Sequence, residues 1–208
     1  KDADKIAAFD RGRQEQVVRL IRTAFLKRFE SSVEAFRMSC WRLLKKLLAW
    51  AEVHATDVRA HSRIERWKRQ NEALLGSAAS AEQRLNGLEE DEDSDLLGQA
   101  DFDAVEKLDP EEFDIDAILD ETLLDLDQIA KFLELLKSFK PSQDKKLTAL
   151  KQLLKKDSVL SKHKVIIFTE FMDTAKYLYK ELKDEVSGLE EIDGQNSDRY
   201  EIITRFAP

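Results

Sequence analysis

Lys164-Val165-Ile166-Ile167-Phe168-Thr169 is a short, continuous apolar run rich in β-branched residues. Such a run fits a strand buried on both faces of a parallel sheet. Just after it, Asp173 and Thr174 open a helix with Ala175, Leu178, Leu182 and Val186 inward. Glu190-Glu191-Ile192-Asp193 reads as a second strand ending at Gly194, and Asp198 starts a further helix with Tyr200, Ile202, Ile203 and Phe206. Strand, helix, strand and helix in succession form a βαβα unit, which makes the strands parallel. Two strands do not close a doubly wound domain, so the chain is expected to be a piece of a longer protein.

Upstream, the periodicity is helical. Residues 14–29 repeat apolar side chains at Val17, Leu20 or Ile21, Ala24 or Phe25, and Phe29. Ser31 and Ser32, with Glu34 close behind, look like an N-cap with an acidic first turn. A long helix is expected from about Val33 into the seventies. Its first half carries the stripe Val33, Phe36, Cys40, Leu44, Leu47, Leu48 and Ala51. Its second half has only the thin seam Val58, Ile64, Trp67 and Leu74, so it is expected to project or to pack against one neighbour.

Residues 76–110 read as a connector broken by Gly76, Gly87 and Gly98 and carrying the acidic run 88–95. That run is a solvated loop by its like charges. Asp91, Asp93 and Asp95 begin a calcium-loop spacing, but Leu96 stands where Gly is needed and Phe102 where Glu is needed. Asp109-Pro110 opens the next helix, with apolar positions Phe113, Ala117, Ile118, Leu124, Ile129, Leu133 and Leu136. Lys140-Pro141-Ser142 ends it, and Asp144 caps a shorter helix with Leu147, Leu150, Leu153 and Leu154 on one face.

The fold expected is mostly α with a small α/β part. A long-helix bundle or hairpin precedes an incomplete parallel βαβα unit. It divides into a basic helical region (1–87), an acidic connector (88–110), a returning helix (111–140) and the α/β part (141–208). Six Gly, three Pro and 37% charged residues agree with long helices and exclude a sandwich or barrel. No stretch of 18 apolar residues exists to span a membrane. The first residues carry no apolar signal core, and the single cysteine excludes an internal disulfide and a cysteine-based zinc site. A cytoplasmic protein is expected.

The net charge of −8 conceals an asymmetry. Residues 1–87 hold 18 Lys and Arg against 11 Asp and Glu, net +7. Residues 88–136 hold 2 against 19, net −17, and residues 137–208 hold 14 against 12, net +2. An acidic total therefore leaves room for a nucleic-acid partner, because steering depends on local charge.

Three segments carry a family resemblance: Asp144-Lys145-Lys146 ahead of a leucine-rich helix, KVIIFTEFMDTAKYLYKEL (164–182), and IDGQNSDRYEIITRFAP (192–208). In this order they resemble the opening of the second RecA-like lobe of a superfamily 2 helicase, in the Swi/Snf-type branch and among bacterial RapA-like proteins. The middle segment is similar to motif IV. FLKRFESSVEAFRMSCWRLL (25–44) resembles a segment between the two ATPase lobes of these proteins. The resemblance covers residues 11–54 and 111–208 and hardly touches the acidic connector.

It implies a parent that couples ATP hydrolysis, with ATP and Mg as cofactors, to movement on double-stranded DNA and remodelling of nucleoprotein. It also implies the first RecA-like lobe of the same protein as a partner. The chain has no G-x-x-x-x-G-K-[ST] phosphate loop and no Asp-Glu pair ending a buried strand, and the arginine motif would lie beyond Pro208. Phosphoryl transfer needs those parts, so the chain alone is expected to hydrolyse no ATP, and it is assigned no catalytic residue, cofactor or metal. Two unpaired strands would expose an edge, so self-association through it is expected.

Thr169, Glu170 and Phe171 follow the apolar run, where parallel sheets present ligand-contacting residues. By resemblance Thr169 and its loop approach the nucleic-acid backbone; the alternative is that Thr169 caps the helix at 173 or satisfies loop amides. Phe168 is either core or, by resemblance, a support for the arginine motif. Gly194 permits a close backbone approach and Arg199 suits a phosphate; they are equally a turn glycine and a surface arginine. Arg59, Arg63 and Arg66 share a helix face with Lys68, Arg69 and Trp67 nearby. They either grip duplex DNA or pair with the acidic segment of the same chain.

His54 and His61 lack a third ligand, with His163 far away. Cys40, on the apolar stripe, reads as a small core residue. Trp41 and Trp50 read as core or interface anchors. Two functions compete: the helical inter-lobe part of a DNA motor, and a helical protein–protein interaction module with no nucleic-acid role.

Overall fold

Ser32 sets the first boundary. Its hydroxyl accepts the Ala35 N–H at 3.0 Å, so helix α1 (helical residues 19–31) passes into α2 (Val33–His54) at a side-chain cap. The computed structural model describes residues 19–86, 103, 105–192 and 199–207. Among these, the long helix expected from Val33 is cut. Ala55 is extended and the Asp57 carboxylate accepts the Ala60 N–H at 2.6 Å, which starts α3 (Val58–Gln70). A second break at Asn71 leads into α4 (Glu72–Asn86). The breaks let the thin seam fold back instead of projecting: Ile64, Trp67 and Leu74 are buried, while Val58 is left 83% exposed.

Asp109 caps only a turn, its Oδ1 accepting the Glu111 N–H at 2.8 Å. Helix α5 (Ile115–Lys137) begins later, at Asp114, which accepts the Ala117 N–H at 3.0 Å. Leu119, Leu126, Ile129 and Leu133 are its buried face, and Phe113 and Leu124 stay exposed. A 3₁₀ turn (Pro141–Gln143) leads to α6 (Lys145–Lys156), where Asp144 accepts the Lys146 and Leu147 N–H groups at 2.9 and 3.0 Å. Then come α7 (Met172–Leu182) and α8 (Arg199–Phe206).

Helices α2 and α5 form the centre. Leu44 and Leu48 meet Leu126 and Leu133, and α3 and α4 close the cluster with Ile64, Trp67, Leu74 and Leu75. Two indole N–H groups at its margins are satisfied by carboxylates, Trp67 by Asp127 at 2.8 Å and Trp41 by Glu82 at 2.6 Å. A smaller cluster joins Leu147 of α6 to Tyr177 and Leu182 of α7. At its edge Lys151 and Lys155 donate to Glu185 at 2.7 and 2.6 Å. Those bonds hold the Glu185 carboxyl down at about 2.

The α/β expectation is overturned. Among the described residues there is no strand, and the elements are helical. The RecA-like βαβα unit expected over residues 141–208 is therefore not formed. The run 164–169 is irregular and open to solvent, with Ile166 57%, Ile167 40% and Phe168 88% exposed. Residues 190–192 are irregular too, and Asp193, Gly194 and Asp198 lie outside the described residues. The reason is physical. A β-branched run becomes a strand only where a neighbour pairs its backbone and layers cover its faces. The described residues supply neither to residues 164–169. With no sheet there is no sheet edge, so the expected self-association through one is withdrawn.

Leu126→Ala should lower stability by about 2–5 kcal/mol, the cost of a cavity in a closed core, measured by urea unfolding. For Glu185, the folded carboxyl lies below its ordinary value of 4.5. Its contribution is therefore present above that value and fades as the pH falls towards about 2. Urea melts of Glu185→Gln and the wild type should differ at neutral pH and converge in acid.

Candidate functional site: the Thr169 loop and its clamp

Residues 169–171 lead into α7, and Asp173 lies in the first turn of that helix. The Asp173 side chain is only 4% exposed. Burying a carboxylate costs several kcal/mol unless cations and donors surround it. Here Arg42 of α2 donates to both oxygens at 2.7 Å, a two-pronged pair, and Arg28 of α1 stands 3.7 Å away. The bond to Asp173 holds the Arg42 guanidinium above its usual pKa.

Hydroxyls extend the joint. Thr174 Oγ1 lies 2.9 Å from Ser31 Oγ and 2.8 Å from Ser32 Oγ. Ser31 Oγ in turn lies 3.5 Å from Thr169 Oγ1. The Arg28 guanidinium sits 4.9 Å from the centre of the Phe171 ring, a cation–π contact. Lys27 stands 3.8 Å from Glu170, and Lys146 donates to the Glu30 carbonyl. The Thr169 loop is thus seated on α1 and α2. It presents a hydroxyl and neighbouring cations to solvent, groups suited to holding an anionic oxygen.

Thr169, Glu170 and Phe171 are therefore brought together, and the Thr169 hydroxyl also accepts the Phe171 N–H at 3.3 Å. They are not joined to the arginines of α3. Arg63 pairs with Asp120 of α5 at 2.5 Å, Lys68 pairs with Glu52 and Glu65, and Arg69 donates to the Glu65 carbonyl. Arg59 and Arg66 are exposed and have no ion pair among the described residues. Arg199 opens α8 and is exposed, and Gly194 lies outside the described residues. Phe168 is not core, being 88% exposed.

His54 is committed to structure. Its Nδ1 faces the Trp50 carbonyl at 2.9 Å and its Nε2 accepts the Leu108 N–H at 3.0 Å. Cys40 is 2% exposed, and burial pushes its thiol up to about 12, so no thiolate forms at neutral pH. Among the described residues no group of three His, Cys, Asp or Glu is placed to hold a metal, and no helix is long and apolar enough to cross a membrane.

No protein family, curated protein or solved structure matches the chain. The residues that sequence reasoning missed are Arg28, Arg42 and Thr174. Asp173 reads as an ordinary helix opener, and nothing local ties it to an arginine 131 positions away. The faint signal is the Ser31-Ser32 pair, since one cap needs only one hydroxyl.

Arg42→Ala should cost about 2 kcal/mol in urea unfolding, below the roughly 3–5 kcal/mol of a fully buried pair because solvent reaches the arginine. Amide exchange should quicken in α7 before it does in α2.

Proposed function

We propose that the chain is the helical coupling part of an ATP-dependent DNA translocase of the Swi/Snf type. One observation carries the reading: the Asp173 clamp fastens the Thr169 loop to α1 and α2. The family resemblance makes that loop the one that approaches the nucleic-acid backbone. A phosphate held near Thr169 and Lys27 would pull directly on the bundle through Arg28 and Arg42. ATP binding and hydrolysis belong, in this reading, to other parts of the parent protein. Arg59 and Arg66 supply a second, separate cationic contact, while Arg63 is already neutralised by Asp120.

A specific observation favours a second reading, that of a protein-binding module with no nucleic-acid role. Large apolar side chains stand exposed on α1 and α5, among them Leu20 at 69% and Leu135 at 72%.

Fluorescence anisotropy of labelled duplex DNA at two salt concentrations separates the readings. The translocase reading expects binding that weakens steeply with salt. Arg59→Ala and Arg66→Ala should each reduce the salt slope by about 1, and Arg63→Ala should leave it nearly unchanged. No binding at low salt would favour the protein-binding module.

A further inference from the structure

Helix α5 has two apolar faces. The inner one is the core. The outer one carries Leu124, Phe132 and Leu135, which are 57%, 50% and 72% exposed. Leu124 and Leu135 are eleven residues apart, about three turns, so they stand on one side of the helix. Glu121, Asp125 and Glu134 flank them, all exposed, against the cations Lys131 and Lys137, the latter 3.8 Å from Glu134. An apolar seam between acidic flanks is half of a helix–helix contact. The half that fits it is an amphipathic helix with basic flanks.

The same chain carries that helix. On α1, Leu20, Ile21, Leu26 and Phe29 are 69%, 52%, 53% and 52% exposed. Arg19 and Arg22 beside them are exposed too, without an ion pair among the described residues. Within one chain the aromatic route between the two helices runs from Phe25 and Phe29 through Phe36 to Phe132, at centroid distances of 6.0, 5.3 and 6.3 Å. Among the described residues Leu20 and Ile21 of α1 and Leu124 and Leu135 of the α5 seam stay open.

We infer that two copies of the chain associate, with the basic α1 of each on the acidic outer seam of α5 of the other. The pairing is reciprocal, so it closes as a symmetric dimer and does not propagate. The surface is a pair of helix faces and owes nothing to a sheet edge. It goes beyond the coupling role proposed above and uses none of the residues assigned to DNA.

Sedimentation of the whole chain without DNA tests it. A dimer is expected at low salt, with affinity falling about tenfold or more between about 50 and 500 mM salt as the charges are screened. Arg19→Glu with Arg22→Glu should give a monomer, and so should Glu121→Lys with Asp125→Lys. An equimolar mixture of the two variants should restore the dimer, because both contacts again join opposite charges. These side chains are exposed, and circular dichroism of each variant confirms its helices. A monomeric wild type at low salt, a dimer indifferent to salt, or a mixture of folded variants that stays monomeric would each overturn the inference. The salt series on the wild type decides it even if a variant fails to fold. Loss of DNA binding would leave the dimer untouched, so the two readings fail separately.

Discussion

A buried carboxylate organises this molecule. Asp173 is removed from water at the start of α7, which is costly for an ion unless its lone pairs are filled. Arg42 fills two positions with one planar fork, Arg28 adds a second positive charge, and the N-terminus of α7 adds a partial one. Because the fork is rigid, it fixes α7 against α2 in direction as well as distance. The hydroxyls of Ser31, Ser32 and Thr174 then pack into the same joint. The place of the Thr169 loop follows from this one pair.

Charge is the second organising theme. The acidic middle of the chain is spent partly on the chain itself: Asp120 takes Arg63 and Asp127 takes the Trp67 indole. These contacts hold α3 down on α5 at the edge of the core. What remains unspent is informative. Arg59 and Arg66 are exposed without an ion pair among the described residues, Arg19 and Arg22 of α1 likewise, and Glu121 and Asp125 stand exposed on α5.

Much of the helical part is legible residue by residue. Ser32 and Asp144 announce their caps because a short polar side chain satisfies the free N–H groups of a first turn whatever surrounds it. Cys40, Leu44, Leu48, Leu133 and Leu147 are placed inward by spacing alone. Asp57 carries the same chemistry, yet the break there is hard to read, since helical periodicity continues on both sides of it. Asp109 misleads for the converse reason: it caps a turn, and Asp114 five residues on offers the better start.

The sequence by itself determined the helical periods, the polar caps, the charge blocks and the chemistry of the Thr169 loop. These depend on side-chain size, charge and neighbours within a few positions. Only the tertiary structure decided that Asp173 meets Arg42, that Arg63 is neutralised while Arg59 and Arg66 are not, and that residues 164–169 form no strand. The first two depend on which helices pack together, a matter of the whole core. The last depends on a partner for the backbone, because a strand, unlike a helix, cannot satisfy its own hydrogen bonds.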